Sequence, residues 1–393
     1  MHEWDKDIMK NEQSKAHVFI FLLLAILFIG CSCSENQRKR NQLSNKLQAL
    51  VDNIICSDCE DPIHNALLLV ECPKIKWKGA AGVADGHEEV MTADHKIKIA
   101  SIAKTFTATV VLQLIEEGDL DLDATIDMFL DNPIVKIDSL HIYKGICYGR
   151  QITVEQLLSH TSGIVDYMED ASFIPDVLEH PKLQYNPDKI IGKYYEYQTN
   201  SKAVFPPGSG FNYSDVNYVL LAMIIEQVTG ETYHAQLKKR IFDRLGMDNS
   251  YLEYYEEPRG QNPLSHAFFS TLDLVDDVNT SFDWGGGGIV STGEELNTFF
   301  RAAVNGKLFR RRSTLDLMLS AADKGRGGTD YDYGLGIMKR SLQGLTFYGH
   351  GGAYDCDVFY CPERDISVCL SLNQMNTHGQ RDEFLQQVIK LIM

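Results

Sequence analysis

Strand-like sequence occurs near both ends of this 393-residue chain, with helical sequence between, and that arrangement constrains the fold more than any other feature. "ALLLVE" (66–71) and "IKWKGAAGVA" (75–84) read as two strands joined by a turn at Cys72 and Pro73. Towards the other end, "YGLGIMKR" (333–340), "LTFYGHGG" (345–352), "DCDVFYC" (355–361) and "DISVCLSLNQ" (365–374) follow in succession, with "PERD" turning between the last two. From about Leu120 to Trp284 the pattern is helices and loops. "TVEQLLSHTSG" opens with Thr153 three residues ahead of Gln156, a capping-box signature, and ends at a glycine; "SDVNYVLLAMIIEQVTG" is a second helix, closed by Gly230. Helices are also expected at 44–55, 293–305 and 381–393. The fold predicted is α+β in three layers (α/β/α). An antiparallel sheet is assembled from both chain ends (46–118 and 285–393) and flanked by helices, with a mainly α lobe (119–284) inserted. Sites in such folds lie at the junction of the lobes.

The N-terminus carries a targeting signal. "VFIFLLLAILFI" (18–29) is twelve apolar residues, shorter than the roughly 20 of a spanning helix and suited to a signal-peptide core. Gly30 and Cys31 follow, which resembles the bacterial lipoprotein signal. That resemblance implies a signal peptide over 1–30, lipidation at Cys31, and export to the cell envelope facing the periplasm or cell surface. Cys33 as the modified residue, or simple cleavage, are the alternatives. The acidic residues 1–8 fit no signal, whereas "MKNEQSKAH" supplies a positive leader, so translation is expected to start at Met9. Ser32–Arg40, polar and without periodicity, reads as part of a tether (31–45) ahead of the folded body (46–393).

The formal charge of −17, with no long basic run, excludes nucleic acid as a partner. Eight cysteines besides Cys31 face a compartment that permits disulfides. Cys56, Cys59, His64 and Cys72 imitate a zinc cluster, but their spacing matches no zinc pattern, and buried thiols or one disulfide are expected instead.

Chemistry enters with "KIASIAKTFTATVVLQLIEEG" (98–118). Ser101 and Lys104 are three apart, so on a helix the hydroxyl and the amine share a face. A lysine in the first turn opposes the helix dipole by about 0.3–1 kcal/mol, and Ile102, Ala103, Phe106 and Val110 leave it little solvent. Burial and dipole both favour the neutral amine, which can then take the serine proton. Tyr213 follows the turn "PPGSG" and precedes an apolar helix. "HGG" (350–352) sits on a predicted strand whose paired glycines permit close backbone approach.

Together these motifs resemble the penicillin-recognising serine hydrolases, in the branch that holds class C β-lactamases, D-Ala-D-Ala carboxypeptidases and related esterases. "SIAK", "YSD" and "HGG" stand for the three motifs of that family, and "LLSHTSGI" (157–164) and "GGGGIVST" (285–292) resemble its recurrent segments. The resemblance covers about residues 46–393. It implies Ser101 as nucleophile, Lys104 and Tyr213 sharing the proton, and His350 beside Tyr213 holding its hydroxyl. It places the oxyanion on the N–H groups of Ser101 and Ala353, implies no metal or organic cofactor, and puts Asp215, Gly351 and Gly352 against the substrate.

Two departures bear on substrate. Asp215 stands where the family carries asparagine, and a carboxylate cannot donate the amide hydrogen. Gly351 stands where a threonine hydroxyl usually meets the substrate carboxylate. Both weaken recognition of a penicillin or of a peptide with a free C-terminal carboxylate. Asp215 is also a partner for Lys104, or a plain helix N-terminal acid. His160 is expected to fix its loop, and Tyr148, Tyr167, Trp284 and Tyr354 are candidate pocket walls. The function expected is acyl-enzyme hydrolysis of amide or ester bonds, with cell-wall D-amino-acid peptides first and small esters second; a β-lactamase and a non-catalytic penicillin or peptidoglycan sensor are the alternatives. Oligomeric state is not legible.

Overall fold

The computed structural model describes residues 35 and 37–393, apart from 57, 58, 60, 61, 321–326, 329 and 378. The expected signal peptide, the expected Met9 start and the expected lipidation at Cys31 fall outside the described residues. Residues 37–54 are helical (α1), so the helix expected at 44–55 starts earlier and the described part of the aperiodic stretch 32–40, residues 35 and 37–40, is helical. Glu35 and Lys39, four apart, pair at 2.7 Å and support the first turns. Cys56 and Cys59 form a disulfide, which removes two donors from the zinc imitation, and Cys356, Cys361 and Cys369 are buried thiols.

Along the chain, β1 (Asn65–Cys72) and β2 (Ile75–Gly82) form a hairpin, followed by β3 (Lys96–Lys98) and the long buried α2 (Ala103–Glu117). The inserted lobe holds α3 (Asp127–Leu130), the small hairpin β4 (Ile142–Tyr143) and β5 (Ile146–Cys147), and α4 (Val154–Leu158). It continues with α5 (Phe173–Glu179), α6 (Pro187–Glu196), α7 (Asp215–Thr229), α8 (Tyr233–Leu237) and α9 (Asp243–Leu245). The short strands β6 (Tyr251–Leu252), β7 (Phe268–Phe269) and β8 (Leu272–Asp273) interrupt the helices and loops of this mainly α lobe. Then come α10 (Trp284–Gly287), β9 (Ile289–Thr292), α11 (Gly293–Val304) and α12 (Arg312–Ser320). The chain ends with β10 (Asp332–Tyr333), β11 (Met338–Leu342), β12 (Leu345–Gly352), β13 (Cys356–Cys361), β14 (Ile366–Ser371), β15 (Gln374–Met375) and α13 (Gln380–Ile392).

The main sheet runs β10-β11-β12-β13-β14-β1-β2, antiparallel throughout, so the two chain ends meet where β14 pairs with β1. Side-chain alternation along a strand assigns its two covers. Tyr360 and Ser367 face each other across β13 and β14 and bond Asn305 and Asn297 of the α11 segment. Asp357, an odd number of residues from Tyr360, points to the opposite face and meets Arg381 of α13. The sheet therefore lies between two helical layers, as the α+β reading required.

The local signals hold in part. Thr153 and Gln156 form the capping box, and Gly230 closes α7 in the left-handed conformation. However, α4 stops at Leu158 rather than at Gly163, because His160 takes a φ of +55°. The stretch 333–340 divides into β10 and β11 at Gly336, and 365–374 divides at Asn373, where φ is +48°. Gly336 explains its own division. With φ +75°, a Cβ there would lie 2.3 Å from the Ala108 Cβ of α2, so this turn presses on the helix that carries Lys104. Gly336→Ala should lower stability by about 2–4 kcal/mol, from backbone strain plus overpacking. A fall in the urea midpoint at constant m value checks this, and an unchanged midpoint would refute the contact.

Candidate active site

Ser101 sits in a tight helical turn (Ala100–Ile102) that leads into α2. The residue before it, Ala100, has φ +44°, a conformation that costs a residue with a Cβ of order 1–3 kcal/mol and is characteristic of functional sites. Two backbone segments hold it there. Gly352, at the end of β12, comes so close that a Cβ on it would stand 2.4 Å from the Ile99 carbonyl oxygen. On the other side, a Cβ on Gly287 would stand 3.4 Å from the Ala100 Cα.

Lys104 is fully buried (0% exposed). Its Nζ donates to Ser101 Oγ at 2.9 Å, to the Gly286 carbonyl oxygen at 2.8 Å and, by a very short contact, to Asp215 Oδ1. An ammonium has three hydrogens, and here each has an acceptor. The ring faces of Tyr213 and Tyr218, at 5.0 and 5.7 Å, add cation–π attraction. Of the two readings left open for Asp215, its pairing with Lys104 is what the structure contains.

Tyr213 Oη is buried and makes no hydrogen bond; the Ser101 hydroxyl lies near it, outside hydrogen-bonding geometry. Burial, reinforced by the Asp215 charge, holds this phenol well above its ordinary value. His160 fixes the ring. The two rings stack with centroids 4.2 Å apart, while His160 Nδ1 accepts from the Ser214 N–H at 3.1 Å and lies 3.0 Å from the Asn217 amide. His160 thus acts on its loop, and through it on Tyr213.

His350 is not placed as expected. Its Nε2 lies 3.0 Å from Tyr333 Oη and its Nδ1 is 2.7 Å from the Gly351 carbonyl oxygen, so it does not hold the Tyr213 hydroxyl. The rings of Tyr213 and His350 are 6.3 Å apart, and Tyr333 takes the position between strand and loop. Burial depresses His350 to about 3 and drives His160 well below its ordinary value. Both rings are neutral near pH 7.

Gly351 and Gly352 form the last step of β12, with Ala353 immediately after. A Cβ on Gly351 would meet Asp357 Oδ1 at 2.7 Å, so the space a threonine would need is held by the Asp357–Arg381 pair. Gly351, Gly352 and Ala353 line a shallow depression with Ser101, Tyr213, Arg340 and Arg381. Asp330, Asp357 and Asp382 line it too, and Arg340 pairs with Asp382 at 3.0 Å.

The residues that sequence reasoning missed are acidic. Asp166, in the loop after "SHTSG", accepts the backbone N–H of Asp215 and that of Met168. Burial, with Asp215 beside it, lifts Asp166 to about 8. Asp283 accepts from Tyr354 Oη, and burial raises it to about 6. Both line a cavity of about 610 Å³ that opens on Ser101. Of the four candidate wall aromatics only Tyr354 lines that cavity; Tyr167 and Trp284 are packed behind it, and Tyr148 sits against His141. Among the described residues His266, Asp273 and Asp276 bring possible metal-ligand atoms within 4.8 Å of one another, at the open end of the β7–β8 hairpin, where Asp273 already holds His266 and the Val275 N–H.

Comparison with known proteins agrees with this geometry. The chain is 26% identical over 324 residues to a D-aminopeptidase of Brucella ovis, covering 78% of this chain and 56% of that one. It is 28% identical over 189 residues to penicillin-binding protein 4 of Amycolatopsis lactamdurans, covering 48% and 44%. The chain spans about half the length of the curated relatives it matches. Among solved structures, a D-stereospecific amidohydrolase from a Streptomyces species superposes with a TM-score of 0.71 at 29% identity, over 88% of this chain and 97% of that one. A D-amino acid amidase from Ochrobactrum anthropi superposes with a TM-score of 0.74 at 22% identity, over 89% and 98%, and shares the fold. Residues 65–389 match the family described as Beta-lactamase, so a serine and a buried lysine three residues apart, a tyrosine loop and a glycine-ended strand converge here because the chain belongs to the Beta-lactamase family.

Proposed function

We propose that the protein is a serine hydrolase that cleaves amide bonds of D-amino-acid compounds, with esters as secondary substrates, through an acyl-enzyme on Ser101. The observation that carries this reading is the set of three acceptors around Lys104, one of which is the Ser101 hydroxyl. The D-aminopeptidase and D-stereospecific amidohydrolase likenesses support the substrate class.

A fully hydrogen-bonded ammonium cannot accept the serine proton, so Asp215 has a part in the reaction. Lys104 passes a proton to Asp215 and, as a neutral amine, takes the proton of Ser101 while Oγ bonds to the substrate carbonyl carbon. The N–H groups of Ser101 and Ala353 hold the oxyanion, a contribution of about 10²–10³ in rate per donor. As the tetrahedral intermediate collapses, the carbon–nitrogen bond breaks and Tyr213 gives its phenolic proton to the leaving amine. Tyr213 regains a proton from Lys104, which recovers its own from Asp215. Water then attacks the acyl-enzyme, and the same groups move the proton in reverse.

On the leaving-group side, three carboxylates surround two arginines that are already paired. A free carboxylate on the substrate is repelled there, which disfavours penicillins and C-terminal carboxypeptidase substrates and favours primary amides, peptide amides and esters. The apolar segment 18–29 followed by Gly30–Cys31 supports export and a lipid anchor at the cell envelope.

A fluorophosphonate probe should label the protein on one serine, and Ser101→Ala should abolish that label by intact mass; labelling that survives the substitution would refute the nucleophile. Asp215→Asn should move the acid limb of kcat/KM for a D-aminoacyl amide to higher pH. In that variant the amine must release its proton to solvent instead of to a neighbour. An unchanged profile would reduce Asp215 to a helix N-terminal charge. Because His160 and His350 stay neutral when folded while unfolded histidine protonates below about 6.5, these two rings contribute a loss of stability as pH drops below that value, opposed by Asp166 and Asp283, whose carboxyls the fold keeps protonated to higher pH. The expected slope is about 1.4 kcal/mol per pH unit for each ring. Urea unfolding of the wild type and of His350→Gln between pH 7 and pH 4.5 isolates it, because the difference between the two slopes should equal one ring's share and an unchanged slope would refute it.

A further inference from the structure

The cavity beside Ser101 has a composition that selects its occupant. Its walls are mostly apolar, built from Phe173, Val177, Leu274, Val278 and Phe282 among others, and its volume of about 610 Å³ far exceeds a methyl side chain. Among the described residues four carboxyl side chains, Asp166, Glu169, Asp215 and Asp283, also line it, and no lysine, arginine or histidine does.

These carboxyls are not equivalent. Asp215 is held by Lys104, and Asp166 is held by the backbone N–H groups of Asp215 and Met168. Glu169 is exposed at the rim. Asp283 is different: among the described residues its side chain accepts a hydrogen bond from Tyr354 and forms no ion pair. The nearby cation, Lys98, is engaged by Glu253 at 2.6 Å and Thr280 at 2.7 Å. Asp283 also stands close to the nucleophile. The Cβ that Gly287 lacks would lie 3.3 Å from the Asp283 Cβ and 3.4 Å from the Ala100 Cα, so only Gly287 separates the Asp283 Cβ from the residue before Ser101, and Asp283 and Ser101 line the same cavity. An α-substituent of an acyl group bonded to Ser101 comes within reach of Asp283, while the rest of the acyl group extends along the apolar wall.

Resting on the acyl-enzyme reading, we infer that this cavity is the acyl subsite and that it takes a bulky apolar aminoacyl group with a free, protonated α-amine, with Asp283 as the residue that receives the ammonium. The structural requirement is twofold. The side chain must fill the apolar wall, so D-alanyl compounds are poor substrates. The amine must be unacylated, because an N-acyl group removes the charge that Asp283 lacks a partner for. Burial raises the Asp283 carboxyl despite the Tyr354 hydroxyl and the Lys98 charge, which Glu253 shares, and a bound ammonium supplies a charge in direct contact.

The test uses the intact chain and four p-nitroanilides: D-phenylalanyl, N-acetyl-D-phenylalanyl, 3-phenylpropionyl and D-alanyl. The D-phenylalanyl compound should exceed the D-alanyl one in kcat/KM by at least about tenfold. It should exceed the uncharged 3-phenylpropionyl and N-acetyl compounds by about 10- to 100-fold, the range of a charge-assisted hydrogen bond. In Asp283→Asn the ratio of D-phenylalanyl to 3-phenylpropionyl should fall towards one. In Leu274→Trp the ratio of D-phenylalanyl to D-alanyl should fall. Both ratios are measured within one preparation, so partial misfolding of a variant does not alter them. A D-alanyl preference, equal rates with and without the amine, or a ratio indifferent to Asp283→Asn would each overturn the inference. Fluorophosphonate labelling of Ser101 with no D-aminoacyl hydrolysis would overturn it as well, whereas absence of both labelling and hydrolysis would overturn the acyl-enzyme reading beneath it.

Discussion

One buried ammonium organises this molecule. Removing a charged amine from water costs several kcal/mol even after relaxation, and the cost is met only when every hydrogen finds an acceptor. For Lys104 the three acceptors come from three separate parts of the chain: the turn before α2, the start of α7, and the α10 turn. None can shift without leaving a buried donor unsatisfied. The elements that pack most closely around α2 are these same ones, α7 and α10, so the site and the centre of the fold are one structure. The aromatic rings of Tyr213 and Tyr218 close the remaining faces and keep water out.

The same constraint determines the chemistry available. A lysine with a carboxylate partner is a poor base by itself, and the buried phenol beside it is poorer still. Proton transfer becomes feasible when the pair acts together, because exchanging an ion pair for two neutral groups in a low-dielectric site costs far less than ionising either one alone. Asp166, buried against Asp215, adds to the density of acid at this point. Carboxyl groups are thus concentrated on both sides of the nucleophile, and the two arginines near Gly351 are matched by their own aspartates. A cation or a neutral group approaches such a site more readily than an anion does.

Much of this was legible in the sequence, and what was not has an identifiable cause. Local patterns located the strands of the main sheet, the Thr153 capping box and the Gly230 stop, because each depends on residues a few positions apart. The serine–lysine spacing was informative because helix geometry alone brings i and i+3 together. His350 shows where this ends. It occurs in the right motif, yet its partner is Tyr333, seventeen residues away on another strand, and only strand register decides which phenol it meets. Asp166 and Asp283 carry no local signature, since an aspartate in a loop is ordinary until the fold buries it. The breaks at His160, Gly336 and Asn373 follow from positive φ values that tertiary packing imposes. The aperiodic reading failed over 37–40 for a simpler reason, since polar residues paired at i,i+4 suffice for an exposed helix.

The glycine run 285–288 illustrates how a bland stretch becomes part of a site. In isolation four glycines suggest a loose connection. In the folded chain a Cβ on Gly285 would stand 2.7 Å from the Ala222 Cβ of α7, and one on Gly286 would stand 2.7 Å from Asp215 Oδ1. One on Gly287 would press on Asp283 and Ala100. Each missing side chain therefore admits a different neighbour, and the backbone they leave exposed presents the Gly286 carbonyl to Lys104. Any residue larger than glycine at 286 would push against the carboxylate that Lys104 needs, and at 287 against the turn that holds Ser101. The run is required by close packing at three contacts at once, and those contacts place an acceptor on the lysine, a carboxylate beside the acyl pocket and the strained residue ahead of the nucleophile within a few ångströms of one another.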